Sequence, residues 1–145
     1  MELLRKWFHV GIPFNRFLGI QIASMERGLC VLRLPWRDEF VGDASRPAVH
    51  GGVISTLIDT AGGGACFTML DRESDRVATV DLRVDYLRPG GSHDLWCRGQ
   101  VVRMGNRVGV ARMALYSDRL PTTTDDDEPV ATGQAVYNIV RRVED

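Results

Sequence analysis

Lysine is almost missing from this 145-residue chain: of its 18 basic residues, all but Lys6 are arginine. Formal net charge is -1, so there is no overall positive field to hold nucleic acid, and no cluster of basic side chains makes a local one. Arginine suits planar, two-pronged contact with phosphate or carboxylate better than lysine does. Cysteine is scarce too: Cys30, Cys66 and Cys97 are far apart and form no Cys-x-x-Cys pair. That argues against a disulfide framework or a zinc knuckle and fits reduced thiols in a cytoplasmic protein. His9 and His93 belong to no ligand-spaced set, so no metal is expected, and no glycine-rich nucleotide loop of the usual kinds is present. No apolar run approaches the roughly 20 residues that span a bilayer. Glu2, Arg5, Lys6 and His9 interrupt the N-terminus, so it does not read as a secretory signal.

What is present is enough for one domain over residues 1–145, with a core that needs no staple. The chain turns on His50 to Leu70, HGGVISTLIDTAGGGACFTML. Val53, Ile54, Leu57, Ile58 and Ala61 follow helical spacing. Between Arg46 and Asp71 the only formal charge is Asp59. A surface helix of this length shows water a charged face, so this one is expected to be covered on both sides. At about 100° per residue, Val53, Leu57, Ala61, Gly64 and Thr68 share one side. Ser55, Asp59, Gly62, Gly63 and Cys66 share the other, where small side chains let a second backbone or a ligand approach. An unpaired carboxylate inside costs several kcal/mol or takes up a proton, so Asp59 needs a purpose.

Around this helix the order is plain. Residues 1–19 form an N-terminal helical segment, with Leu3, Leu4, Trp7, Phe8 and Val10 on one pattern and a second turn restarted by Pro13. Ile20 to Pro35 reads as a hairpin about Glu26-Arg27-Gly28, and Trp36 to Val49 as a loop. Asp71 to Asp75 form a charged connection, and Ala78 to Tyr86 then alternates as a strand that places Thr79 with Asp81 and Arg83 on its polar face, ending at Pro89-Gly90-Gly91. Leu95 to Met104 and Val108 to Tyr116 are strands joined at Gly105-Asn106, a pair suited to a positive-φ turn. Residues 117–129 are polar and acidic and read as a mobile loop. Val130 to Val140 is the last strand, with Gly133 as a bend. The sum is α+β: an antiparallel sheet of five to six strands wrapped around one long central helix.

His50-Gly51-Gly52 at the helix start, Asp59 nine residues after the histidine, and the strand TVDLRVDYLRP from Thr79 to Pro89 together resemble the hotdog-fold acyl-CoA thioesterases, most closely the phenylacetic acid degradation type. The resemblance implies hydrolysis of acyl-CoA to free acid and CoA, with no cofactor beyond the CoA of the substrate. It also implies a homodimer, in turn a dimer of dimers, with active sites shared between subunits. By position, Gly51 or Gly52 polarises the thioester carbonyl, Asp59 is the acid, and Thr79, from the partner subunit, steadies water. The chain departs from the pattern at Ala44, where many members have asparagine six residues before the histidine.

Each residue has a plainer role as well. Gly51 and Gly52 either expose helix-start amides to a developing oxyanion or merely permit a tight turn. Asp59 is a general base or nucleophile, or a structural acid paired elsewhere. His50 orients the turn more readily than it catalyses. Arg88 and Arg107 either grip the phosphates of CoA or are solvated surface arginines. Two other functions fit the fold class: an acyl-CoA-binding or sensing module without turnover, which Ala44 would suit, and a dehydratase acting on 3-hydroxyacyl thioesters, which the chain resembles less.

Overall fold

The computed structural model describes residues 1–123 and 127–142. Two short helices, α1 (Glu2–Val10) and α2 (Pro13–Leu18), precede the hairpin β1 (Gln21–Glu26) and β2 (Leu29–Leu34). A small pair, β3 (Val41–Asp43) and β4 (Arg46–Val49), leads into α3 (Gly51–Phe67). Four long strands follow: β5 (Arg76–Tyr86), β6 (Leu95–Met104), β7 (Val108–Ser117) and β8 (Ala131–Val140). The main sheet runs β1-β2-β6-β7-β8-β5, with every neighbouring pair antiparallel. It packs its inner face on α3 in the hotdog arrangement that the resemblance implies.

Alternation on the strands supplies the inner face. Cys30, Leu32 and Leu34 of β2, Leu95 and Cys97 of β6, Ala111, Met113 and Leu115 of β7, and Ala135 and Tyr137 of β8 are buried with Leu57, Ile58, Ala61 and Ala65 of α3. Helix and sheet thus remove each other's apolar faces from water, which is the main force holding the two layers together. The last strand carries Gly133 in unbroken register between Val84 and Met113, so it is no bend. A Cβ there would lie 2.6 Å from Cγ2 of Ile58, so the glycine lets the helix approach the sheet.

The structure departs from the expected local elements in four places. Trp36 to Val49 is not all loop: a short 3-10 turn at Asp38–Phe40 is followed by β3 and β4, and the His50 amide donates to the Phe40 carbonyl at 2.7 Å. The central helix stops at Phe67 rather than Leu70, because the amides of Met69 and Leu70 turn back to carbonyls only three residues earlier. Neither Gly105 nor Asn106 takes a positive φ, and their turn closes instead through the Gly105 amide on the Val108 carbonyl at 2.8 Å. Asp75, expected in a charged connection, is fully buried. Of the loop expected over 117–129, residues 124–126 lie outside the described residues.

The register of β5 decides which way Thr79 points. Thr79 pairs with Tyr137, but Asp81 pairs with Val136, so Val80 is an extra residue in a β-bulge. A bulge shifts the alternation by one. Val77 and Thr79 face the helix before it, and Leu82 and Val84 face the helix after it, while Val80 is 65% exposed. Thr79 therefore points inward, not to the Asp81-Arg83 face assigned from simple alternation.

Buried Asp75 is paired with Arg141 at 3.2 Å, the same guanidinium also contacting Asp71 at 3.4 Å. Removing one partner of a buried pair costs more than the pair contributes. Arg141→Ala is expected to destabilise the fold by about 3 kcal/mol, measured by urea unfolding, with Asp75→Asn in the Arg141→Ala background recovering part of that loss.

Candidate active site

The site forms on the strip of α3 that the sheet leaves half-covered. His50 caps the helix with its own ring, Nδ1 accepting the Gly52 amide at 2.8 Å. That occupies one of the two glycine donors and gives His50 the local role of a cap. The Gly51 amide has no partner among the described residues, so it is the open donor at the positive end of the helix.

Two turns further on sits Asp59, half-buried. Its Oδ1 accepts from the Thr79 hydroxyl at 2.9 Å and lies 3.3 Å from the Tyr137 hydroxyl, which also donates to the Asp59 backbone carbonyl at 2.9 Å. No described residue hydrogen-bonds Oδ2. The bulge at Val80 is what turns Thr79 toward this carboxylate, and both residues belong to one chain, whereas the resemblance implied a Thr79 from the partner subunit. Gly62 and Cys66, placed beside Asp59 by helical spacing, are buried instead, because the sheet curls far enough round α3 to cover them with Met113, Tyr137 and Gly109. The small side chain at 62 does serve close approach: a Cβ there would lie 2.7 Å from Met113 Sδ and closer still to the Tyr137 hydroxyl.

Tyr137 is the residue that periodicity does not single out. It is 1% exposed. Burial first, then the Asp59 carboxylate, pushes its phenol far above the ordinary range, so it remains a proton donor. Its sequence signal was an inward position on β8, between Ala135 and Ile139, where a phenol needs a polar partner. The buried thiols are excluded as nucleophiles on the same grounds, since desolvation holds Cys66 at about 11 and Cys30 at about 12.

Asp59 and Thr79 open into a cavity of about 240 Å³ whose walls are largely apolar, with Trp7 and Phe14 from the N-terminal helices, Phe67 from the end of α3 and Val77 from β5. Arg88 and Arg107 do not join it. Arg88 lies past the end of β5, on the Pro129 carbonyl at 3.1 Å and Glu128 at 3.4 Å, and Arg107 is an exposed residue of the β6–β7 turn at the other end of β8. Ala44 is exposed in the β3–β4 turn and presents no polar side chain. Among the described residues no three His, Cys, Asp or Glu side chains gather as a metal site.

A family model described as the thioesterase superfamily matches residues 47–123, which takes in the helix start, Asp59, Thr79 and three of the long strands. The chain belongs to the thioesterase superfamily. It is 31% identical to the medium/long-chain acyl-CoA thioesterase YigI of Salmonella typhimurium, over 96% of this chain and 93% of that protein. It is also 31% identical to the acyl-coenzyme A thioesterase PaaI of Escherichia coli K12, over 72% of this chain and 71% of that one. Among solved structures, a thioesterase family protein from Silicibacter pomeroyi superposes with a TM-score of 0.82 at 26% identity, covering 96% of this chain and 97% of the other.

In this superfamily member the groups with raised pKa set an alkaline limit. The Tyr137 phenol and the three thiols hold their protons in the folded chain and release them sooner when unfolded, from about 10.0 and 9.0 respectively. The unfolded state then binds fewer protons, so stability falls as pH rises through that range. Tyr137→Phe is expected to cost about 1 kcal/mol at neutral pH and to flatten the loss of stability above pH 10 by close to one proton, read from denaturation midpoints at stepped pH.

Proposed function

We propose that this chain hydrolyses acyl-CoA thioesters to free acid and CoA, with Asp59 as the catalytic carboxylate. The observation that carries the proposal is the state of Asp59: half-buried, fixed through Oδ1 by Thr79 and Tyr137, lining a largely apolar cavity, with Oδ2 hydrogen-bonded by no described residue. A carboxylate so held is fixed in place and keeps one oxygen for chemistry. Water attacks the thioester carbon as Oδ2 takes its proton; the oxyanion forms at a helix-start amide; the C–S bond breaks and the CoA thiolate recovers the proton. Direct attack by Oδ2, giving an acyl anhydride that water then opens, uses the same groups. No cofactor enters except the CoA of the substrate. Within the superfamily, the HGG start, the acid nine residues on and the β5 sequence support the phenylacetic acid degradation type, and the likeness to PaaI and YigI supports an acyl-CoA substrate.

One chain cannot complete this reaction alone. Gly51 and Asp59 are eight residues apart, about 12 Å along the helix and about 80° around it. A reacting carbon must sit about 3 Å from both nucleophile and oxyanion donor. A second copy resolves this by laying its helix start against the first copy's Asp59. The edge of the sheet favours such a partner: β5 is 11 residues long and bonded only to β8, with Val80 and Tyr86 more than half exposed, and unpaired strand edges are templates for pairing. We therefore propose a homodimer joined through β5 and shared active sites, and a dimer of dimers as the full assembly. Three free cysteines support a cytoplasmic location, and no helix among the described residues is long and apolar enough to cross a membrane.

Thiol release from a panel of short, medium, long and aromatic acyl-CoAs tests the activity. Turnover is expected for at least one class, with kcat falling at least about a hundredfold in Asp59→Asn and about tenfold in Thr79→Val, at little change in KM. Ala44 favours a second outcome, binding without turnover. Tight calorimetric binding with no thiol released would overturn hydrolysis, and an unimpaired Asp59→Asn would overturn Asp59 as its catalytic carboxylate.

A further inference from the structure

The cavity at Asp59 does not end in solid protein. Part of its wall is a stacked pair, the indole of Trp7 on the ring of Phe67, with centroids 4.5 Å apart and planes 19° from parallel. Beside that pair lies a second groove, of about 420 Å³, with Leu3, Leu4 and Val10 of α1 as its apolar side chains and Lys6 and Glu73 also in its lining, sharing Trp7, Phe67 and Arg76 with the first. The two hollows thus adjoin at Trp7, Phe67 and Arg76, with the aromatic stack between them.

The two halves of that contact differ in how firmly they are held. Phe67 is fixed to the last turn of α3. Trp7 is 38% exposed and belongs to α1, which is anchored through Phe8, 2% exposed, and the Asn15 amide on the Phe8 carbonyl at 3.4 Å. The indole itself makes no hydrogen bond among the described residues. It lies in the space left by Gly11, where a Cβ would come within 2.8 Å of the indole Cδ1 and Nε1. Leu3 and Val10, the outer groove's apolar walls, are 69% and 59% exposed, more open apolar surface than an isolated helix turn needs to leave in water.

We propose that Trp7 is the specificity residue of this chain, a partition that ends the acyl subsite for shorter chains and is displaced by longer ones, whose tails then lie along Leu3, Leu4 and Val10. This rests on acyl-CoA as the ligand and adds how its length is measured. Short acyl groups fill the inner cavity and gain contact with the indole; longer ones must break the Trp7–Phe67 stack to reach the outer groove.

The test uses thioether analogues of octanoyl-CoA and hexadecanoyl-CoA, which bind but cannot be hydrolysed, on the full chain, with a thermal melt confirming that each variant is folded. In Trp7→Ala, affinity for the C16 analogue relative to the C8 analogue is expected to rise about tenfold, the size of effect a reshaped apolar pocket gives. Leu3→Ser, at a site too exposed to carry folding, is expected to weaken the C16 analogue at least about threefold and leave C8 unchanged. An unchanged C16-to-C8 ratio in both variants, or no binding of either analogue to the parent chain, would overturn the partition. If the analogues bind with the predicted ratios while native thioesters are not cleaved, the partition stands and the hydrolytic function fails.

Discussion

The structure depends on one charge in an otherwise uncharged helix. Asp59 cannot be left bare in a half-covered apolar setting, where an unpaired carboxylate costs several kcal/mol, so the sheet brings it donors. Thr79 arrives through a bulge at Val80, and Tyr137 reaches it because position 62 is glycine. Both donors serve the same oxygen. The arrangement satisfies one oxygen of the half-buried group and leaves the other without a partner among the described residues, and that division between structure and chemistry is what makes the acid a candidate catalyst.

The same helix explains why the site is open. A sheet curling round α3 from β2 to β5 covers Ile54, Leu57, Ile58, Ala61 and Ala65 completely but stops short of Ser55, Asp59, Thr60 and Gly63, which remain half-buried. The N-terminal helices roof the far end of that strip with Trp7 and Phe14. The near end, toward Gly51, is left for a substrate or a second chain. The Gly51 amide and the Asp59 carboxylate lie too far apart on one helix to reach one atom between them, and the exposed β5 edge offers a way for two helices to meet.

Much of this was legible in the sequence wherever the signal was local. The N-terminal helices, the β1–β2 hairpin, the long strands β6 and β7 and the helix from Gly51 follow from apolar period and turn residues, and the isolation of Asp59 is visible by inspection. What escaped depends on register between distant segments. The face of Thr79 was misassigned because a bulge reverses alternation, and a bulge is fixed by pairing with β8 rather than by the strand's own composition. Tyr137 lies 78 residues from its partner. Asp75 looked like surface charge because its counter-ion, Arg141, comes from the other end of the chain. The pairing of β3 with β4 was hidden by glycine and proline, which mark loops but do not forbid three-residue strands.

The most direct test of the shared site is complementation between two inactive chains. His50 already has the extended backbone, φ -62° and ψ 134°, that precedes proline readily, and Gly51 is the first helical position, where proline is well tolerated. Gly51→Pro therefore removes the open amide with the helix start kept. Mixed with Asp59→Asn under conditions that exchange subunits, the pair is expected to recover about a quarter of the parent's acyl-CoA hydrolysis: random pairing makes half the dimers mixed, and one of the two sites in each has both Gly51 and Asp59 intact. A mixture no more active than its separate components, from dimers shown to have exchanged, would contradict the account.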